Sequence, residues 1–170
     1  MFIDRLLSPL GEILLCSTGD KLSGLLFSGE NNESSILSRD SEHIPDPHLE
    51  IFLETRKWLD LYFAGHDPGF IPPLEITGND FFRTVQHILL TIPYGSSATY
   101  GEIARKTAQE MHVSHMSSQA IGGALGRNMI SIIIPCHRVL GATGKLTGYS
   151  GGFSRKKYLL DLEGIKYRTD

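Results

Sequence analysis

The sequence predicts two units, a small α/β unit over residues 1–76 and a mainly helical unit over residues 77–170. Three observations carry this reading. Short apolar segments separated by turn residues fill the first 27 positions, and a helical period follows from residue 49. Gly65, Pro68, Gly69, Pro72 and Pro73 then break the pattern ahead of a run of cap-led helical segments. Charge changes sign across that break. Residues 1–76 hold five Lys and Arg against thirteen Asp and Glu, and residues 77–170 hold eleven against six, so −8 and +5 make up the total of −3. With 170 residues and 41% hydrophobic content, the chain can build two small cores or one larger one.

The elements follow in order. FIDRLL, EILLCST and KLSGLLF, divided by Ser8-Pro9-Leu10-Gly11 and Gly19-Asp20, predict an antiparallel meander. Residues 28–47 are polar, hold two prolines, and read as a connector. Leu49, Phe52, Leu53, Leu59 and Phe63 recur at helical spacing in a segment that carries the single tryptophan, Trp58. Past the break, Asn79 caps a helix over residues 80–90, and Thr99 or Ser97 caps a second that runs to Lys106. Residues 107–117 are polar and aperiodic. Ser117 or Ser118 starts a third helix, in which Ala120, Gly122, Gly123 and Ala124 allow close approach to the backbone. Two short helices and a turn in a basic unit fit a helix-turn-helix, and an ordinary helical hairpin fits the same spacing. SIIIPC reads as a buried strand stopping at Pro135, five glycines between 141 and 152 make a loop, and residues 155–163 make a closing helix.

Several classes are disfavoured. No apolar run approaches the roughly 18–20 residues of a spanning helix, so no membrane association is expected. The start MFIDRLLSPLGEILL lacks the pattern of a secretory signal, so a cytoplasmic location is expected. Cys16 and Cys136 are expected to stay reduced there, and seven scattered histidines supply no paired ligand spacing, so neither metal nor cofactor is predicted. The basic second half allows phosphate contacts that the acidic total would disfavour; chance asymmetry is the plainer alternative.

The chemistry concentrates at Pro-Cys-His-Arg-Val, residues 135–139. Thiolate is the reactive form of cysteine, and its formation needs a nearby base or cation. His137 can serve as that base, and Glu163 on the closing helix can orient it. A buried, inert cysteine fits the dipeptide alone. The wider pattern, Ile-Pro-Cys-His-Arg-Val followed by Gly148-Tyr149-Ser150-Gly151-Gly152, closely resembles the O6-alkylguanine-DNA alkyltransferase family. The resemblance spans residues 79–170 and is looser over 1–76. It implies a ribonuclease-H-like first unit and a winged-helix-type helix-turn-helix in the second.

That resemblance also implies roles. Cys136 looks like the acceptor thiolate, His137 like the base acting through a water, and Glu163 like the acid polarising it. Asn128 matches the asparagine that ties the helix-turn-helix to the active-site turn. Tyr100 matches the tyrosine that helps protonate the leaving guanine, while Tyr149, Ser150 and Gly151 match the wall of the base pocket. Gln119, Ala120, Gly122 and Gly123 fall on the helix that meets DNA, and Arg127, Lys145, Arg155, Lys156 and Lys157 are candidates for phosphate contacts. Arg138 is expected to brace the fold. The implied partner is double-stranded DNA containing O6-alkylguanine, with O4-alkylthymine a further candidate, bound by a monomer. The chain departs from the family where Gln119 replaces the usual arginine finger and where residues 107–117 form a longer loop. That departure motivates a second reading, a lesion-binding module without alkyl transfer. A cysteine hydrolase is a third, and stoichiometry separates them.

Overall fold

Strand β1 (Phe2–Ser8) pairs antiparallel with β2 (Gly11–Ser17) from Phe2↔Ser17 to Ser8↔Gly11, leaving Pro9 and Leu10 as a two-residue turn. Gly11 closes it at φ 106°, a backbone conformation that suits glycine. Strand β3 (Leu22–Phe27) pairs antiparallel with β2, so the predicted meander forms. Strand β4 (Ile44–Pro45) adds in parallel to β1, giving the order β3-β2-β1-β4.

A computed structural model describes residues 1–38 and 42–170. The chain divides into one unit of Met1–Glu75 with Met129–Ser131 and another of Ile76–Asn128 with Ile132–Asp170. In the first, helix α1 (Asn31–Leu37) puts Ile36 against Leu14, Cys16 and Leu26. Alternate residues of a strand point to opposite faces, so Ile13, Leu15 and Leu25 face the other side. Helix α2 (Glu50–Phe63) packs on β3 and buries Ile51, Phe52, Thr55, Trp58, Leu59 and Tyr62. Burial on both faces explains why β2 and β3 read as nearly unbroken apolar runs. The outer edge of β3 is also covered. Leu22 pairs with the Pro73–Glu75 backbone, and Leu25 with that of Met129 and Ser131.

Three expectations need correction. The loop expected over 107–117 is shorter, because the helix that starts at Tyr100 runs on to Glu110 and buries Thr107 and Ala108. The 28–47 connector contains α1 and β4; α1 carries one buried residue, so no apolar period announces it, and residues 39–41 lie outside the described set. SIIIPC is not a strand. A single bridge, Leu25↔Ile130, precedes it, Ile132 adopts φ 69°, and the backbone turns from there to Cys136. Every residue of that run is buried, and a short continuous apolar run does not distinguish a strand from a buried turn.

The second unit holds α3 (Asp80–Leu90), α4 (Tyr100–Glu110) and α5 (Ser118–Gly126), which pack pairwise. Each starts on a side-chain cap. Asn79 accepts from Phe82 N, Ser117 accepts from Ala120 N, and Thr99 forms a reciprocal capping box with Glu102. Residues 111–117 link α4 to α5, with His112 at φ 54°. Short strands β5 (Ala98–Thr99) and β6 (Val139–Leu140) pair in parallel. Helix α6 (Phe153–Leu162) closes a core of Leu140, Leu146, Leu160 and Ile165. Among the described residues, no helix is long and apolar enough to cross a membrane.

Candidate active site

Cys136 opens a single 3₁₀ turn, Cys136–Arg138, held by Cys136 N to Ile134 O at 2.8 Å and Arg138 N to Pro135 O at 3.0 Å. All three side chains are buried. Asn128, just past the end of α5, donates from Nδ2 to Ile134 O at 3.0 Å and to Cys136 Sγ at 3.2 Å. One amide thus clamps the turn and aims an N–H at the sulfur, an arrangement complementary to a thiolate.

His137 Nε2 lies 2.6 Å from Glu163 Oε1, with both side chains fully buried. Glu163 Oε2 also accepts from Arg138 Nε at 2.8 Å and from Gly95 N at 3.1 Å. Burial alone would push the Glu163 carboxyl up, but the hydrogen bonds and charges of His137 and Arg138 hold it at about 2. An ionised carboxylate only accepts, so His137 Nε2 donates and the neutral ring keeps its lone pair on Nδ1. Burial pulls the His137 pKa below its usual 6.5 despite Glu163, and the ring is therefore neutral near pH 7. Arg138 Nη1 donates to Ile92 O at 2.6 Å, so its guanidinium is spent on the fold.

Above Cys136 lies a cavity of about 200 Å³. Tyr100 and Gly122 line it from α4 and α5, Leu125 and Gly126 from the end of α5, and Gly148, Tyr149 and Ser150 from the loop. The Tyr149 ring sits edge-on to His137, 6.5 Å between centroids. Ser150 Oγ is buried with no hydrogen-bond partner among the described residues. A buried hydroxyl in that state is costly unless a ligand completes it.

Cys136, Tyr100, Gly122, Tyr149 and Ser150 therefore share one cavity, and His137, Glu163 and Asn128 back its floor. The other expected residues lie off the cavity lining. Gln119, Gly123 and Arg127 are exposed on or after α5, where the Arg127 guanidinium stands 5.8 Å over the Phe82 ring, and Ala120 is half-buried. Gly151 is buried, and its carbonyl accepts from Arg155 Nη1 at 3.2 Å. Lys145 and Lys157 are exposed. Lys156 is a correction, since it is completely buried with Nζ donating to Val139 O at 2.8 Å and cannot meet a phosphate. Sequence reading missed this, although Lys156, Leu159, Leu160 and Glu163 fall on one helical face, a lysine on an apolar stripe. It also missed Thr147, whose place in a polar loop carries no signal.

Fold and site together define a class: an α/β unit joined to a helix-turn-helix unit that holds a buried Cys-His-Glu arrangement beside a small cavity. The family model for the 6-O-methylguanine DNA methyltransferase DNA binding domain matches residues 80–165, and that for the ribonuclease-like domain matches residues 4–76. The chain belongs to the 6-O-methylguanine DNA methyltransferase family. A methylated-DNA–protein-cysteine methyltransferase of Mycobacterium bovis is 42% identical over 96% of this chain and 92% of its own length. One from Methanosarcina acetivorans is 39% identical over 92% and 94%. The crystal structure of Mycobacterium tuberculosis OGT in complex with DNA is similar at a TM-score of 0.82 and 39% identity, over 96% of this chain and 92% of that one.

Proposed function

We propose that this protein repairs double-stranded DNA by moving the alkyl group of O6-alkylguanine onto Cys136, one group per molecule. The observation that carries the reading is the cavity floored by Cys136 and backed by the buried His137–Glu163 pair. A guanine oxygen inside the stack is out of reach, so the nucleotide turns out into a pocket, and Tyr149 and the glycine-rich backbone suit a flat base. His137 takes the thiol proton, and the sulfur displaces the guanine. Ser150 and Tyr100 offer hydroxyls to the departing base, whose exit a donated proton eases. The thioether is stable, so the protein is consumed.

DNA is met by the start of α5, at the exposed Gln119 and the half-buried Ala120, with Gly122, Gly123, Arg127 and Arg155 following. The roles divide between domains 1–76 and 77–170, in keeping with the two family models. The cavity is complete within a single chain, so the reading needs one protein molecule, acting as a monomer, per lesion. A nucleophilic thiol stays usable in a reducing compartment, which supports the cytoplasm.

Intact mass after incubation with duplex DNA containing O6-methylguanine tests the reading, with Cys136→Ser alongside. A gain of about 14 Da, saturating at one per protein and absent from the serine variant, is expected. Lesion binding without gain would favour the binding-module reading that the exposed Gln119 motivates. Gln119→Arg tests that position directly. The added charge and fork of donors should tighten binding to lesion DNA roughly tenfold at low salt, and equal affinity in a titration would remove Gln119 from the DNA face.

A further inference from the structure

Behind the cavity wall, three side chains form a line that the Cys-His-Glu arrangement does not use. Tyr100 lines the cavity, and its hydroxyl lies 3.0 Å from Thr147 Oγ1. Lys156 Nζ donates to Thr147 Oγ1 at 3.3 Å, to Val139 O at 2.8 Å and to Gly148 O at 3.4 Å. The lysine is wholly buried, and neither it nor Thr147 lines the cavity.

The donors set the direction of this line. An ammonium only donates, so Thr147 Oγ1 already accepts one hydrogen from Lys156. Among the described residues, the Tyr100 oxygen is the one acceptor within reach of the Thr147 hydrogen. With Thr147 donating to Tyr100, the phenolic hydrogen is left for the cavity. Donors in series also polarise one another. Were Tyr100 to donate to Thr147 instead, its proton would be turned away from any base in the pocket.

We propose that Thr147 is a positioning residue for alkyl transfer: it aims the Tyr100 hydroxyl into the cavity and, with Lys156, replaces the proton that Tyr100 gives to the departing guanine. This rests on the alkyl-transfer reading above. As the Cys136 sulfur bonds to the alkyl carbon, the carbon–oxygen bond breaks and its electron pair stays on the guanine. Tyr100 gives the guanine a proton, Thr147 gives one to the Tyr100 oxygen, and Lys156 Nζ gives one to Thr147. A thiolate and an ammonium become a thioether and a neutral amine, and the guanine leaves neutral. Burial lowers the Lys156 pKa to about 8, opposed by the charge on Cys136. Once the thiolate is consumed that opposition is gone, so the ammonium releases its proton more readily.

The test is the single-turnover rate of methyl transfer from duplex DNA carrying O6-methylguanine, at saturating DNA, with the Kd for the same DNA. Wild type is compared with Thr147→Val, Thr147→Ser, Tyr100→Phe and the Tyr100→Phe/Thr147→Val double variant. Valine at 147 should slow transfer about tenfold or more with little change in Kd. Serine should restore most of the rate, and valine should add nothing in the phenylalanine background. Equal rates for wild type and the valine variant overturn the proposal. So does a serine variant as slow as valine, or a further slowing in the double variant. Should the valine variant not fold, Thr147→Ala carries the same comparisons. A wild type that gains no methyl group overturns the alkyl-transfer reading and this proposal with it, whereas transfer by wild type with unchanged variants overturns only the proposal.

Discussion

Glu163→Gln is expected to slow alkyl transfer on the order of a hundredfold and to lower the unfolding free energy by about 3 kcal/mol at neutral pH. Both effects come from a carboxylate surrounded by donors. Oε1 faces His137 Nε2 and Arg138 Nη2, and Oε2 faces Arg138 Nε and Gly95 N. An amide supplies one oxygen and one NH₂. Turned one way, its NH₂ meets Arg138 Nε and Gly95 N, donor against donor. Turned the other way, it meets His137 Nε2 and drives the ring proton to Nδ1, which removes the lone pair needed to deprotonate a thiol. Neither orientation keeps both the Arg138 anchor and the base.

The same variant carries a pH signature. The Glu163 pKa is held at about 2 against 4.5 in the unfolded chain, so its contribution is present above 4.5 and fades as pH falls towards 2. That gap corresponds to roughly 3 kcal/mol. His137 slopes the same way in a higher window. Its pKa is lowered, so the unfolded chain takes up its proton first and stability falls as pH drops below 6.5. Urea unfolding midpoints from pH 7.5 to 3 should therefore fall in both windows for wild type. The difference between wild type and Glu163→Gln should shrink below 4.5, where other titrating groups cancel. A constant difference across the range would mean that Glu163 is not the ionised partner described here.

Elements with a local chemical cause were legible in the sequence. The meander was announced by Ser8-Pro9-Leu10-Gly11, and α3, α4 and α5 by caps whose hydrogen bonds form as expected. Elements held by tertiary contacts were not. Helix α1 rests on Ile36, β4 is two residues long, and residues 132–134 are apolar because they are buried in turns. The site divides in the same way. Cys136 and His137 stand together in the chain, and Glu163 follows from the need to orient a base. Lys156 and Thr147 meet only because α6 turns a lysine inward beneath the glycine loop, and only the inward-facing position of Lys156 left a trace in the helical period. Charge type misled there, since a lysine four residues past the end of a glycine loop looks like a phosphate contact until its burial is known.

Asn128→Ala and Asn128→Asp should separate the two duties of the amide at the sulfur. Asn128 is completely buried, and its NH₂ bridges Ile134 O and Cys136 Sγ. Alanine leaves a void and withdraws a donor from two acceptors, a loss of about 2–3 kcal/mol in stability with transfer slowed roughly tenfold. Aspartate keeps the shape and reverses the sign. An ionised carboxylate oxygen at the amide nitrogen's position, 3.2 Å from a thiolate, would be repelled by roughly 5 kcal/mol even at an effective dielectric of 20. One of the two charges must then take up a proton, and the reactive form of Cys136 becomes scarcer. Transfer rate, and alkylation of Cys136 by iodoacetamide, should therefore fall in the order wild type, Asn128→Ala, Asn128→Asp. If the amide were only a structural clamp, the isosteric aspartate would react faster than alanine. That inverted order would assign the sulfur's activation to His137 alone.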